Sequence, residues 1–430
     1  MAATRLKRRK FPTINEEFYY NQLENGMTVF LIPKESFKET LAVMSSRFGS
    51  IDTNFTVNGK KKSYLTGIAH LLEHQLFEMN KQKDAAYEFT KLGAESNAYT
   101  TFDKTIYYFS TADNIKKNLD LLQEFTSQIN FTDMSIEKEK KIITQEFNMY
   151  QDDSDDYLYQ VILSKLYPQT SLAEDITGNR DSIDKLTKNN LEENFHYFYQ
   201  PENLTLLVAG DFDVKRVYKD IVTTQRQLPD RPKFEIKRSP LKLLPITPTS
   251  SMQMDISISK LAVGFRFNFI KKKPKSLIKE RLLLKLFFLL LFGWTSEHYQ
   301  QWYEDRKIDD SFELKIEVST SYQFVVILLD TKEPIAMSNK IGQTIKKFKT
   351  DTNLSASHLQ TVKKELYGDF IRSLDSLEAL SSQFIDNLWG EETYFDFPTV
   401  LQNIEIKDVL EFGEKITKEM QLTDFTLFPK

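Results

Sequence analysis

The chain has 430 residues, 40% hydrophobic and 27% charged, with a net charge of −4 and no cysteine. That length can bury sizeable cores and holds two or three domains. The slight acidity argues against nucleic acid as the main partner, and the lack of cysteine excludes disulfides, thiol chemistry and Cys-type metal sites, so any metal must be held by histidine and carboxylate.

The basic run Arg5 to Lys10 reads as a solvated arm. No apolar stretch follows it, so no secretory signal is expected. Phe18-Tyr19-Tyr20 and Thr28 to Ile32 flank Asn25-Gly26, a hairpin signal. A strand follows over Leu41 to Phe48, then a polar loop from Gly49 to Ser63, and Thr66 is placed to cap the next helix.

That helix carries Gly67-Ile68-Ala69-His70-Leu71-Leu72-Glu73-His74, with two of the chain's five histidines. Four residues apart, His70 and His74 share one helical face and can reach one cation, with Glu73 beside them. The order His-x-x-Glu-His inverts the usual metalloprotease signature. Catalytic zinc takes three protein ligands and leaves one position for water. The two histidines therefore need a third ligand, and Glu73 is free to take a proton from the water.

Asp84 to Leu92 reads as a helix stopped by Gly93, and Ser96 to Phe102 and Thr105 to Thr111 as paired strands rich in Thr and Tyr. Asn114 to Ile129 and Ser135 to Tyr150 are amphipathic helices. At about 100° per residue, Ile136, Ile143, Phe147 and Tyr150 form the buried stripe of the second, and Glu139 and Glu146 both fall along its edge. The periodicity does not choose between these two glutamates. The acidic run Asp152 to Asp156 reads as a solvated loop, followed by helices over Tyr157 to Tyr167, Lys188 to Tyr199 and Asp213 to Val222, with a strand over Leu204 to Ala209. Strands and helices mix without regular βαβ alternation, which makes the class α+β.

Five of the chain's 13 prolines fall between Leu228 and Ser251, read as a semi-extended linker between a first domain, 1–227, and a second, 252–430. In the second, strands are expected at Met252 to Ser259 and Ala262 to Phe267, then a buried helix through Leu282 to Phe292. The apolar run ending at Trp294 has 13 residues, too few to span a bilayer, so a cytoplasmic protein without membrane contact is expected. A helix through Trp302, strands at Phe312 to Val318 and Phe324 to Asp330, three or four helices and a last strand at Leu422 to Phe428 complete the chain.

The motif and its surroundings resemble the inverted-motif zinc peptidases that include pitrilysin, insulin-degrading enzyme and the mitochondrial processing peptidase. The resemblance also runs through Leu23-Glu24-Asn25-Gly26-Met27, Arg47-Phe48-Gly49-Ser50, Gly93 to Thr100, and Tyr199 to Leu204 ending in Gly210-Asp211. The chain looks most like the short two-domain members of Gram-positive bacteria. The resemblance implies two structurally alike halves, each a mostly antiparallel sheet covered on one face by helices.

It further implies one Zn²⁺ per chain on His70, His74 and Glu146, with Glu73 as general base in peptide hydrolysis. Glu139 matches a family carboxylate expected to hydrogen-bond a ligand histidine and fix its tautomer; a surface ion pair with a lysine is the other reading of that residue. Asn97, Ala98, Tyr99 and Thr100 match an edge strand to which peptide substrate adds in extended form. In the family's four-domain enzymes an Arg and a Tyr from the other half face the zinc. The corresponding stretch here, Gln301 to Phe312, has Tyr303 and Asp310 at those positions. A second, different subunit of the family is therefore expected, as a heterodimer in preference to a homodimer, unless Arg306 and a nearby tyrosine do the same work. The resulting expectation is a zinc endopeptidase acting on peptides or unfolded segments in an enclosed chamber. A catalytically idle peptide-binding or scaffolding subunit is the alternative, distinguished by loss of motif residues that are all present here. A structural zinc site is disfavoured because it would require a fourth ligand.

Overall fold

A computed structural model of the chain describes residues 6–79, 83–269 and 274–430. Two compact units result. The first comprises residues up to Asn148, Glu174–Ser239 and Asp375–Ile385; the second comprises Met149–Ala173, Pro240–Leu374 and Asp386–Lys430. The class is α+β and the sheets are mostly antiparallel.

In the first unit the sheet runs Lys7–Phe11, Glu16–Gln22, Thr28–Pro33, Leu204–Gly210, Thr40–Ser46, Thr105–Thr111, Ala94–Thr100. Only Leu204–Gly210 against Thr28–Pro33 is parallel. In the second unit the order is Ser250–Met254, Gln421–Pro429, Lys260–Phe267, Gln323–Asp330, Glu313–Val318, again with one parallel pair, the first. Leaving aside the first two strands of the larger sheet and numbering the rest by chain order, both sheets read first, fifth, second, fourth, third. The two halves repeat one topology that is not visible as a sequence repeat.

Alternation decides which face of each sheet builds the main core. Val29, Leu31, Ala42, Met44, Tyr107, Phe109, Leu206 and Val208 point to one side of the first sheet and join the helical core. Across the second sheet Leu261, Val263, Phe265, Val325 and Ile327 do the same, against the helix Leu277–Phe292. The opposite faces also carry helices. Ser154–Leu166 lies on the second sheet, where Gly264 leaves room: a Cβ there would stand 2.8 Å from Ile162. Leu377–Asp386 lies on the first sheet, Phe384 packing edge-on against Phe18 and Phe30, both at 5.3 Å.

Four local expectations are corrected. The basic arm is a strand from Lys7 onward, with Arg8 bonded to Glu17 and the Arg9 guanidinium 4.7 Å from the Phe11 ring; Arg5 lies outside the described residues. The polar loop contains a hairpin, Asn54–Val57 with Lys60–Ser63, turned by Asn58 and Gly59 at φ 48° and 80°. Asn-Gly with both φ positive is a two-residue hairpin turn, and Phe55 and Val57 bury into the core. The acidic run joins two helices: Asp153 accepts from the N–H groups of Asp155 and Asp156 as N-cap of Ser154–Leu166. The motif helix Ile68–Leu76 is preceded by Gly67 at φ 85° with no side-chain cap, so Thr66 does not cap it. A Cβ at Gly67 would lie 2.5 Å from the Thr177 carbonyl oxygen, which makes glycine the residue that fits.

The proline-rich stretch is held at several points. Ile236–Arg238 adds to the Asn54–Val57 hairpin as a third strand, Gln200 bonds both the N–H and the carbonyl of Phe234, and Arg238 pairs with buried Asp52 at 2.6 Å. Beyond Pro240, Lys165 Nζ donates to the Pro248 carbonyl at 2.6 Å and Arg266 to that of Leu244 at 2.7 Å. Among the described residues no helix is long and apolar enough to cross a membrane.

Candidate metal centre

The motif helix is embedded: eight of its nine residues are buried, and Leu71, Leu72 and Leu76 fix it in the core. His70 is 8% and Glu73 6% exposed, so both polar side chains are held where water is scarce. The helix Asp133–Asp152 brings Glu146 across from the other side.

Donor atoms of His70, His74 and Glu146 all lie within 4.8 Å of one another. The Nε2 atoms of both histidines stand 3.8 Å from Glu146 carboxylate oxygens, one from each. That span is too long for a hydrogen bond. Two ligands each about 2.1 Å from one zinc ion can stand at most about 4.2 Å apart, a limit that both histidine–Glu146 spans respect, and the nitrogen and carboxylate donors suit that ion. Buried His70, with the His74 charge beside it, titrates near 3, which keeps its imidazole neutral and its lone pair available.

Glu139 reaches His74 Nδ1 at 3.2 Å, while Nε2 of the same ring faces Glu146. Such a bond fixes the tautomer and aims Nε2 inward. Lys138 also lies near Glu139, at 3.9 Å, but it is solvent-exposed, and the contact with His74 is the shorter. Burial works against protonation of His74, yet the Glu139 bond and the charges of Glu73 and Glu146 outweigh it and raise its pKa. The Nδ1 of His70 is buried without a hydrogen-bond partner.

Glu73 does not join the ligand set. Its Oε2 accepts the Thr100 hydroxyl at 2.6 Å, and burial pushes its pKa up to about 7. Behind Thr100 lie Thr105, whose hydroxyl donates to the Phe48 carbonyl, and the buried Tyr107–Tyr199 pair with hydroxyls 2.7 Å apart. Sequence reasoning did not single out Thr105, Tyr107 or Tyr199; the signal available was the alternation that places Thr105 and Tyr107 on the motif-helix side.

Asn97, Ala98, Tyr99 and Thr100 lie on one strand, Ala94–Thr100, at the rim of the first sheet. They divide by face. Thr100 and Ala98 turn towards the motif helix, Asn97 and Tyr99 away from it. The Ala98 N–H donates to the Asn97 side-chain oxygen at 2.8 Å, so it faces the open edge and not the neighbouring strand. In the second unit, Tyr303 and Arg306 line one surface cavity of about 490 Å³.

Residues 60–180 match the insulinase (peptidase family M16) model, and 185–366 that of the peptidase M16 inactive domain. The uncharacterized zinc protease YmfH of Bacillus subtilis is 32% identical over 98% of this chain and 99% of its own. The zinc protease PqqE of Helicobacter pylori is 22% identical over 95% and 92%. An M16-like peptidase of Alicyclobacillus acidocaldarius superposes with a TM-score of 0.89 at 26% identity, covering 98% of this chain and 100% of that one.

Elemental analysis of the purified chain should give about one zinc per molecule, as a single three-ligand site requires. His70→Ala and Glu146→Ala should abolish it, and Glu139→Ala should weaken affinity about 10- to 100-fold, the usual effect of losing a partner that orients a ligand. Full zinc retention in either ligand variant rejects the assignment.

Proposed function

The chain belongs to the insulinase (M16) peptidase family, and on that basis we propose that it is a zinc-dependent endopeptidase that cleaves peptides or unfolded segments within an enclosed chamber. The observation that carries this reading is the convergence of His70, His74 and Glu146 within 4.8 Å beside a separately held Glu73. An idle scaffolding subunit has no need to keep these three residues and a separate buried carboxylate together.

His70, His74 and Glu146 would hold the metal, with Glu139 orienting His74. Zinc, when bound, supplies the Lewis acidity that makes water a nucleophile near neutral pH and polarises the scissile carbonyl. Glu73 accepts the proton of the attacking water and passes it to the leaving amine. Thr100 anchors one Glu73 oxygen, so the carboxylate is presented in a fixed orientation. The peptide lies along Ala94–Thr100 as an added strand, reading backbone through groups such as the Ala98 N–H.

A second subunit of the same family, different from this chain, belongs to the proposal. Its support is that Tyr303 and Asp310 occupy the two positions where the resemblance asks for Arg and Tyr. Those groups would hold substrate and developing negative charge. The Tyr303 and Arg306 cavity is the arrangement through which the chain could do without such a partner.

Glu73→Gln keeps the shape and removes the base. Zinc content should be unchanged and peptide turnover should fall by about 10²–10⁴; undiminished turnover moves the base role elsewhere. Ala98→Pro removes an edge-facing N–H and should lower kcat/KM about three- to tenfold, the worth of one hydrogen bond, with zinc retained. Equal kcat/KM in a folded variant rejects strand addition. For the partner, solution mass and peptidase assays with and without the candidate sister protein decide: a heterodimer with raised activity is expected, and full activity from this chain alone overturns the heterodimer.

A further inference from the structure

The strand that carries the proposed peptide edge has a second face, turned away from the metal centre. Its alternation puts the side chains of Glu95, Asn97 and Tyr99 on that face, opposite Thr100 and Ala98. Behind it, between the sheet and the helix Leu377–Asp386, opens a cavity of about 350 Å³. Its walls are mostly apolar, with Ser376 and Ser382 on the helix side: Leu41 and Val43 come from one strand, Ile106 from its neighbour, and the Tyr99 and Tyr108 rings pack edge-on at 6.4 Å. At its rim the exposed Glu378 carboxylate accepts the Tyr108 hydroxyl at 3.1 Å. Glu378 is the one charged residue of the lining.

We propose that this cavity is a substrate subsite for one basic side chain, Arg or Lys, of the peptide bound along Ala94–Thr100. The proposal rests on the strand-addition reading above and names the side chain that reading leaves open. A peptide added to the edge continues the pleat, so every second side chain projects on the Tyr99 face, about 4.5–5.5 Å from the residue opposite it. A long aliphatic stem fits the apolar walls while its charged head reaches solvent and Glu378, the arrangement that Lys and Arg adopt at amphipathic surfaces. Tyr108 takes one of the roughly four acceptor sites of the carboxylate and leaves the others for a cation. The Tyr99 ring, partly exposed, offers a face for a guanidinium. An acidic side chain would meet Glu378, with Glu95 on the same strand face adding to the repulsion. A purely apolar one would fill the walls and gain nothing at the rim.

The test uses the zinc-loaded full chain, with its partner subunit if one is required, and quenched-fluorescent peptides that differ at one residue. Arg, Leu or Glu is carried in turn through the positions flanking the cleaved bond. At one position Arg should exceed Glu in kcat/KM by about fivefold or more, the scale of a partly exposed ion pair. E378Q should remove that preference at that position alone, and E378K should invert it; Glu378 is exposed, so both variants keep the fold. Inversion by charge exchange is a result that a merely structural role for Glu378 would not produce. Peptides cleaved by E378K with the wild-type preference overturn the subsite and leave the peptidase reading intact. A wild-type chain that cleaves none of the peptides overturns the peptidase reading, and the subsite with it.

Discussion

Placing two imidazoles and a carboxylate on an almost wholly buried helix is the constraint to which the first unit is fitted. Charged forms are costly there, and an unpaired polar atom costs about 1–3 kcal/mol. The surroundings answer group by group: Thr100 for Glu73, Glu139 for His74, and Ser135 for Gln75. Among the described residues His70 receives no such partner at Nδ1, and its Nε2 faces Glu146 at 3.8 Å. The helix is held by apolar packing at Leu71, Leu72 and Leu76, so hydrophobic burial bears the cost of keeping the polar groups poised.

The repeated topology shows how little of this chemistry belongs to the fold itself. In both units a helix follows the second strand of the repeat, Ile68–Leu76 in one and Leu277–Phe292 in the other. The first presents His70, Glu73 and His74; the second presents leucine and phenylalanine and serves as core. One architecture thus supports a candidate centre or a packed interior according to the residues in that single slot. The same economy appears on the opposite faces. Each sheet carries there a helix from the sequence half of the other, so each unit is completed by a segment remote along the chain.

The rim strand Ala94–Thr100 joins the centre to what it would act on. Its pleat gives it two roles at once: Thr100 looks inward to Glu73, whereas Tyr99 looks outward to the Glu378 cavity. Next to them the Ala98 N–H donates to the Asn97 side chain at the open edge of the sheet. Positions one residue apart therefore serve the two sides of the sheet separately, because neighbouring side chains along a strand point to opposite faces.

The class, most strands and helices, and the spacing of His70, Glu73 and His74 were legible in the sequence, since helical and strand periodicities are local properties of the chain. The stripe-edge positions of Glu139 and Glu146 were legible too. Their different contacts were not, for one helix face offers both and only the approach of the motif helix sets Glu146 against the Nε2 atoms and Glu139 against Nδ1. The Asn58-Gly59 turn was a readable signal inside a stretch that its polar composition made look like loop. The prolines of residues 228–251 gave no sign of the stretch's anchoring, which depends on Gln200, Asp52 and Lys165, all outside it. Likewise nothing in residues 375–385 by themselves points to the first sheet. Sequence by itself determined which groups are available and on which local face they lie; the tertiary structure decided which groups meet, because contacts between segments remote along the chain are set by how whole apolar faces pack and leave no periodic trace in it.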